Sequence, residues 1–454
     1  MTTFLTRLLH PLLTLLLAMV PLLPMTVKAQ QPLTLDDCLA QARENNVRLR
    51  QARYEAATST ITQRQNRADY LPRVSASTGA NQIYGTVLDP NTFQRVQRTT
   101  TTSYPNLNAQ VVLFDGFAKY YALRQAGNLA EAGRHTVAQT EIEVEASVTR
   151  FYLQAIIDEE NIRISKERME LLSGQLTKME KMTQAGLRTE EDVFRIKSQL
   201  ANEKLVLLNQ ENQYRQDLLL LLQEIEADPG QPYTLVAPDM QVNPASGEPE
   251  PVEAVLGTAL AVSPALKASH LQVSAARHSL SRSRSNFYPR LTLGGSVGSV
   301  YSSNFMFEDP ETKLPRTMTL AEQFKGKRSA KVGVNLSIPI FGAFANHYQS
   351  QIARLAIRNA ELNYRSTENR LRQTIHQAYQ DVLTAREKYT SVQADLASLQ
   401  KSFGFAKRRY EAGAVDFYGY METLNNKNNA ELALLQSQYE YYFTSKILEL
   451  YRQR

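Results

Sequence analysis

With 454 residues, 43% hydrophobic and 21% charged, the chain has enough apolar material to bury a core and is not compositionally disordered. Its formal charge of +6 comes from lysines and arginines interspersed with acids, the pattern of a solvated helical surface and not of a nucleic-acid patch. Cys38 is the one cysteine, which excludes an intrachain disulfide; Asp36 and Asp37 stand where a lipid-anchor motif needs small residues, so Cys38 reads as an apolar helix residue.

The first residues, MTTFLTRLLHPLLTLLLAMVPLLPMTVKAQ, place Arg7 ahead of a leucine-rich core and reach a small-residue cleavage site at Val27-Lys28-Ala29. Residues 1–29 read as a secretory signal peptide, and Pro11, Pro21 and Pro24 weigh against an uncleaved spanning helix. Cleavage removes Arg7 and Lys28 and no acid, so +6 becomes +4. No later stretch approaches the ~18 apolar residues of a spanning helix. The mature chain is then either soluble outside the cytoplasm or enters a membrane as a β-barrel.

From Thr34 to about Tyr70 the pattern is helical, capped by Thr34 or Asp36 and stopped by Pro72. ADYLPRVSAS, from Ala68, has a counterpart in SNFYPRLTLG, from Ser285: a helix end, then Pro-Arg, then alternating apolar residues. The neighbours correspond as well, VVLFDGFAKYYALRQA from Val111 with LSIPIFGAFANHYQSQIA from Leu336, and MTQAGLRTEEDVFRIKSQL with RYEAGAVDFYGYMETLN. Phe114 to Gly186 is 72 residues and Phe341 to Gly413 is also 72, a register that shared composition would not hold. The chain reads as an internal duplication: a first repeat over 30–226, a Pro/Gly-rich connector over 227–254 with one short strand from Tyr233 to Val236, and a second repeat over 255–454.

Four runs alternate with period two. In 104–114 Asn106, Asn108 and Gln110 oppose Leu107, Ala109, Val111 and Leu113. In 331–341 Lys331, Gly333, Asn335 and Ser337 oppose Val332, Val334, Leu336, Ile338 and Ile340. The runs 74–84 and 291–301 follow suit, giving β-hairpins at about 74–114 and 290–341. Each run has roughly the ~9–11 residues of a tilted membrane strand. Aromatics gather at the ends, with Tyr84, Tyr104, Tyr301, Phe305 and Phe307 on one side and Tyr70, Phe114, Tyr288 and Phe341 on the other, as interfacial girdles do. A soluble β-sandwich also alternates, but only four such strands are expected, set between very long helices.

Those helices are expected over 117–185 and 344–412, proline-free and ~100 Å long at 1.5 Å per residue. Val148, Phe151, Ala155, Ile162, Met169, Leu172, Leu176 and Met179 form a coiled-coil seam that Asp158 and Ser165 interrupt. Gly186 and Gly413 stop the two helices; Thr189 with Asp192 as a capping box, and Asp416, start the next ones, over about 190–226 and 416–452. Four strands cannot close a membrane barrel, because about eight is the practical minimum and an open edge leaves backbone groups unpaired in lipid. Several chains must share one barrel, and three would supply twelve strands. The fold class is an α+β membrane protein: a long α-helical coiled-coil barrel plus a transmembrane β-barrel shared between three chains, four strands from each.

No enzyme is legible. None of the six histidines pair at i, i+4, and His270 and His278 stand ~12 Å apart along a helix, too far to share a metal. GGSVG at Gly294–Gly298 is a strand of small residues and not a phosphate loop. No catalytic residue, cofactor or metal is expected. The rival reading from another class is a secreted or periplasmic coiled-coil scaffold or adaptor, which has no need of bilayer-length strands.

Over Leu33 to about Tyr451 the chain resembles the TolC-type outer-membrane efflux proteins. The carriers are LTLDDCLAQARENN, the LPRV and YPRL steps, the LFDG and IFGA steps, and the tips AGLRTEEDV and AGAVDFYGYMETL, in this order and spacing. The resemblance implies a homotrimer in outer-membrane lipid with a helical barrel in the periplasm. It implies a passive, porin-like duct for efflux or type I secretion, coupled through a periplasmic adaptor to an inner-membrane pump, with no nucleic-acid partner. It implies that the helix tips form the gate and adaptor-docking region, here with Gly186, Arg188, Asp192, Tyr410, Gly413 and Glu422. Tyr410 matches a tyrosine that holds family gates closed, and Glu422 a constriction aspartate. Gly419 stands at the other ring-aspartate position, so a cation-binding acidic ring is not carried over.

Overall fold

A computed structural model of the chain describes residues 31–89, 92–237 and 250–453; the expected signal peptide and residues 238–249 of the expected connector lie outside them. In chain order the elements are β1 (Gln31–Leu33), α1 (Leu35–Asn45), α2 (Val47–Ala68), β2 (Arg73–Ser77), β3 (Ala80–Ile83), β4 (Thr86–Leu88), β5 (Arg95–Gln97), β6 (Thr100–Ser103), β7 (Asn106–Phe114), α3 (Ala118–Gln184), α4 (Glu190–Glu224), β8 (Tyr233–Leu235), α5 (Val252–Val262), α6 (Pro264–Ser285), β9 (Arg290–Gly298), β10 (Tyr301–Ser302), β11 (Met306–Glu308), β12 (Pro315–Thr317), α7 (Leu320–Gly326), β13 (Ser329–Ser337), α8 (Ala345–Glu411) and α9 (Phe417–Gln453). The long helices α3 and α8 are 67 residues each, one residue inside the expected bounds at either end. The chain divides into two compact units, Met1–Ala42 with Val148–Met240, and Arg43–Ser147 with Gln241–Arg454.

The helix expected over Thr34–Tyr70 is broken. Thr34 and Asp37 cap α1 reciprocally, each side chain taking the other's backbone N–H at 3.2 Å. At Asn46 the backbone turns extended, ψ 126°, and the side chain accepts the N–H of Leu49 at 3.1 Å to restart the helix as α2. Ser263 does the same between α5 and α6: ψ is 119° and Oγ accepts from Leu266, with Pro264 at the first helical position where its missing N–H costs nothing.

In the first unit β1 and β8 pair in parallel, and the fully buried Tyr152 directs its hydroxyl at the carbonyls of Leu33 and Val236, 2.9 and 2.5 Å away. Val148, Ala155, Leu172 and Met179 of the expected seam are buried, and so are its interruptions Asp158 and Ser165. The opposing helix α4 buries Val193, Ile196, Leu221 and Leu222. In the second unit Val255 and Ala259 of α5 pack on Ile375 of α8, with Leu256, Leu371 and Leu448 around them. There α2 lies close along α3: a Cβ on Gly133 would stand 3.1 Å from the Cα of Ala56.

The strands depart from the expectation of four. The run 74–84 splits into β2 and β3, and 331–341 ends as a strand at Ser337, where Pro339 lacks the N–H to continue a ladder. The long connections hold further short pairs, β4 with β5 and β11 with β12, and β6 joins β3 and β10. They also hold α7, unforeseen, which starts at a Thr319–Glu322 capping box. Gln323 of α7 is fully buried; its amide donates to Ser302 O at 3.0 Å and Met318 O at 2.9 Å, and its carbonyl accepts from Ser302 N at 2.8 Å.

Candidate functional site

The main sheet has the order β13-β9-β7-β2, antiparallel throughout. Its register settles which side chains share a face, because the side-chain period is two. One set of rungs runs Val332, Gly295, Ala109, Val74, and beside it Ala330, Val297, Leu107, Ala76; Val334, Leu293 and Val111 follow. The other face carries Lys331, Ser296, Asn108, Ser75, then Gly333, Gly294, Gln110, Arg73. The apolar face is uncovered. Val332 is 83% exposed, and Val334, Leu336, Val297 and Val74 are each more than half exposed. Among the described residues only Phe324 and Arg328 approach one end of it, and β2 and β13 each pair on one side only. A sheet apolar outside, polar inside and open at both edges is unfavourable in water and complete only in an apolar medium beside further strands.

Two steps join this sheet to the long helices, and both use the same backbone. Gly116 and Phe117 have φ of 66° and 69°, Ala343 and Phe344 of 51° and 58°. Two consecutive left-handed residues reverse the chain from strand to helix within one turn. Phe114 meets Phe117 edge-on at 5.5 Å, and Phe341 meets Phe344 at 5.7 Å. Gly116 is held to glycine by crowding too, since a Cβ there would lie 2.6 Å from Ser285 O.

The two helix tips share a construction. At Gly186, φ 73°, Gly186 N donates to Thr183 O at 3.0 Å and Leu187 N to Met182 O at 2.9 Å. At Gly413, φ 72°, Gly413 N donates to Tyr410 O at 3.0 Å and Ala414 N to Arg409 O at 2.8 Å. Both are helix stops that only glycine adopts without strain. Asp192 makes the expected capping box, taking the N–H of Thr189 at 3.3 Å, while Asp192 N donates to Thr189 Oγ1 at 3.3 Å. Asp416 accepts from Gly419 N at 3.0 Å. Arg188 and Glu422 are exposed. A Cβ at Gly419 would come 2.9 Å from Val415 Cγ1, so the departure from a ring acid also fits the tight cap.

Two features of the helices were not legible in the sequence. Tyr410 stacks on Tyr420, rings 4.9 Å apart and 19° from parallel, and Tyr420 also lies 5.7 Å from Phe403. Burial, then Tyr410 and Glu411, raises the Tyr420 hydroxyl above its ordinary range. In the first unit Asp158 of α3 faces Asp217 of α4, both over nine-tenths buried. Gln154 donates to Asp158 at 3.1 Å and Gln213 to Asp217 at 2.8 Å. Burial, and then Asp217 beside it, push the Asp158 carboxyl up to about 7. No helix among the described residues is long and apolar enough to cross a membrane, and none of their His, Cys, Asp and Glu side chains group into a metal site.

The sequence model of the family described as outer membrane efflux protein matches the chain twice, over 38–224 and 255–450. Protein CyaE of Bordetella pertussis is 25% identical over 350 residues, covering 76% of this chain and 68% of CyaE. Among solved structures, the outer membrane protein VceC of Vibrio cholerae superposes with a TM-score of 0.73 at 16% identity, covering 92% of this chain and 94% of that one. The Campylobacter jejuni CmeC outer membrane channel does so with a TM-score of 0.73 at 18% identity, covering 92% and 85%.

Proposed function

The chain belongs to the outer membrane efflux protein family, whose members are transport ducts and not enzymes, and we propose that it is the outer-membrane channel-tunnel of a tripartite efflux or type I secretion system. The observation that carries this reading is the sheet. Its exposed apolar face suits lipid, its polar face suits an aqueous lumen, and its open edges suit pairing with further copies. Three copies close a twelve-stranded barrel, and their helices make a periplasmic tube. The family's double match, the equal 67-residue helices and the matched turns support an internal duplication, 30–226 and 255–454, in which each half supplies one hairpin to the wall and one helical tip. Cargo moves passively, and the tips around Gly186, Arg188, Asp192, Tyr410, Gly413 and Glu422 gate the tube and receive the adaptor that links it to an inner-membrane pump. The stacked Tyr410–Tyr420 pair supports a tip that holds one packed state.

The test is the mass of the mature protein extracted from separated inner and outer membranes, by light scattering corrected for bound detergent. A trimer from the outer-membrane fraction is the expected result. A water-soluble monomer overturns the barrel, and a periplasmic coiled-coil scaffold then takes its place.

A further inference from the structure

Where the strands meet the helices lies a pocket of about 270 Å³. It opens on the polar face of the sheet, since Arg73, Gln110 and Arg290 line it from β2, β7 and β9 at positions alternate to the apolar rungs. α3 and α6 contribute Lys119 and Arg282, and the turns beside α2 and α3 contribute Asp69 and Asp115. Four cations thus meet two carboxylates. Arg73 donates to Asp69 at 2.7 Å, and those charges cancel. Asp115 accepts the backbone N–H of Lys119 at 3.3 Å, so the first turn of α3 takes up part of its charge. The side chains of Arg282 and Arg290 make no ion pair or hydrogen bond among the described residues. The pocket carries a formal excess of +2, on two exposed guanidiniums with no acceptor among the described residues.

With two more cations than carboxylates in the lining, repulsion is left over, and a planar guanidinium is the donor best matched to a two-pronged anion. The geometry points to an anion subsite at this junction, which takes the phosphate group of a soluble solute between Arg282, Arg290 and Lys119. That the solute reaches it through the duct rests on the function proposed above. Arg73 and Arg290 each follow a proline just past a helix end, but Arg73 is paired with Asp69, so the subsite belongs to the second Pro-Arg step.

The test is equilibrium dialysis of radiolabelled inorganic phosphate against the detergent-solubilised protein, with planar-bilayer conductance measured on the same preparations. Wild type should bind one phosphate per chain saturably. Arg282→Gln with Arg290→Gln should weaken this at least ~10-fold, the effect of losing hydrogen bonds to a charged group. Arg282→Lys with Arg290→Lys keeps the charge, folds as a control, and should fall between the two. Equal phosphate binding in wild type and the glutamine variant overturns the subsite. So does binding of added phosphatidylglycerol without binding of inorganic phosphate. Channels that conduct while phosphate binding is absent overturn the subsite and leave the duct standing; saturable binding without channels supports the subsite and removes the duct.

Discussion

Replacing Asp158 by Asn tests the buried acid pair directly. In the wild type the folded chain holds a proton at this site up to about pH 7, whereas the unfolded chain releases it near the ordinary 3.8. Folding therefore takes up a proton between those values, and stability falls as pH rises from about 4 to about 7 and stays low above. Each tenfold change in proton affinity is about 1.4 kcal/mol, so the span sets an upper bound on the order of 4 kcal/mol, which water penetration reduces. Asparagine keeps a carbonyl for the Gln154 amide and offers an N–H to Asp217, reproducing the protonated pair at any pH. Thermal melts of the helical circular dichroism in detergent at pH 5 and pH 8 read the effect. The variant should melt above wild type at pH 8 and lose most of the wild-type difference between the two pH values. A variant that melts below wild type at pH 8, or that tracks it in parallel, refutes the raised Asp158 carboxyl.

Gly186→Ala and Gly413→Ala force a Cβ into left-handed backbone and should each destabilise the tip by about 1 kcal/mol, read as faster hydrogen exchange there; Gly404→Ala, inside α8 with open space at its Cβ, should stabilise by a similar amount. Val334→Lys on the uncovered apolar face should cost ~2–4 kcal/mol in lipid and reduce recovery of assembled protein from the outer membrane, while Asn335→Lys on the other face should be recovered normally. Burial, and then the charge of Asp37, push the Cys38 thiol up to about 12, so thiol reagents at pH 8 should label it only after denaturation.

The parts of the fold governed by local periodicity could be read from the sequence. The two long helices were bounded within a residue because neither contains a proline and a glycine follows the end of each, and the strand faces because alternation leaves only one face apolar. The breaks at Asn46 and Ser263 carried cap signals, but the apolar pattern continues across both and hid them. Thr319-Leu-Ala-Glu322 was a legible capping box inside a connection read only as loop. The pairing of Asp158 with Asp217, 59 positions apart, had no local signal. Asp158 stood out only as an interruption, and its meaning depends on which residue α4 brings opposite. The stacking of Tyr420 on Tyr410 and the shared pocket of Lys119, Arg282 and Arg290 also depend on how the chain folds back on itself.

The count of strands in the main sheet has a consequence of parity. With four antiparallel strands, β2 at one edge and β13 at the other run in opposite directions. A neighbour that adds its β2 beside β13 therefore continues the alternation without a parallel seam, and every joint between copies repeats the hydrogen-bond geometry found within one copy. Three or five strands per chain would make each joint parallel. An even hairpin pair thus lets one sequence tile a closed wall with a single kind of bond.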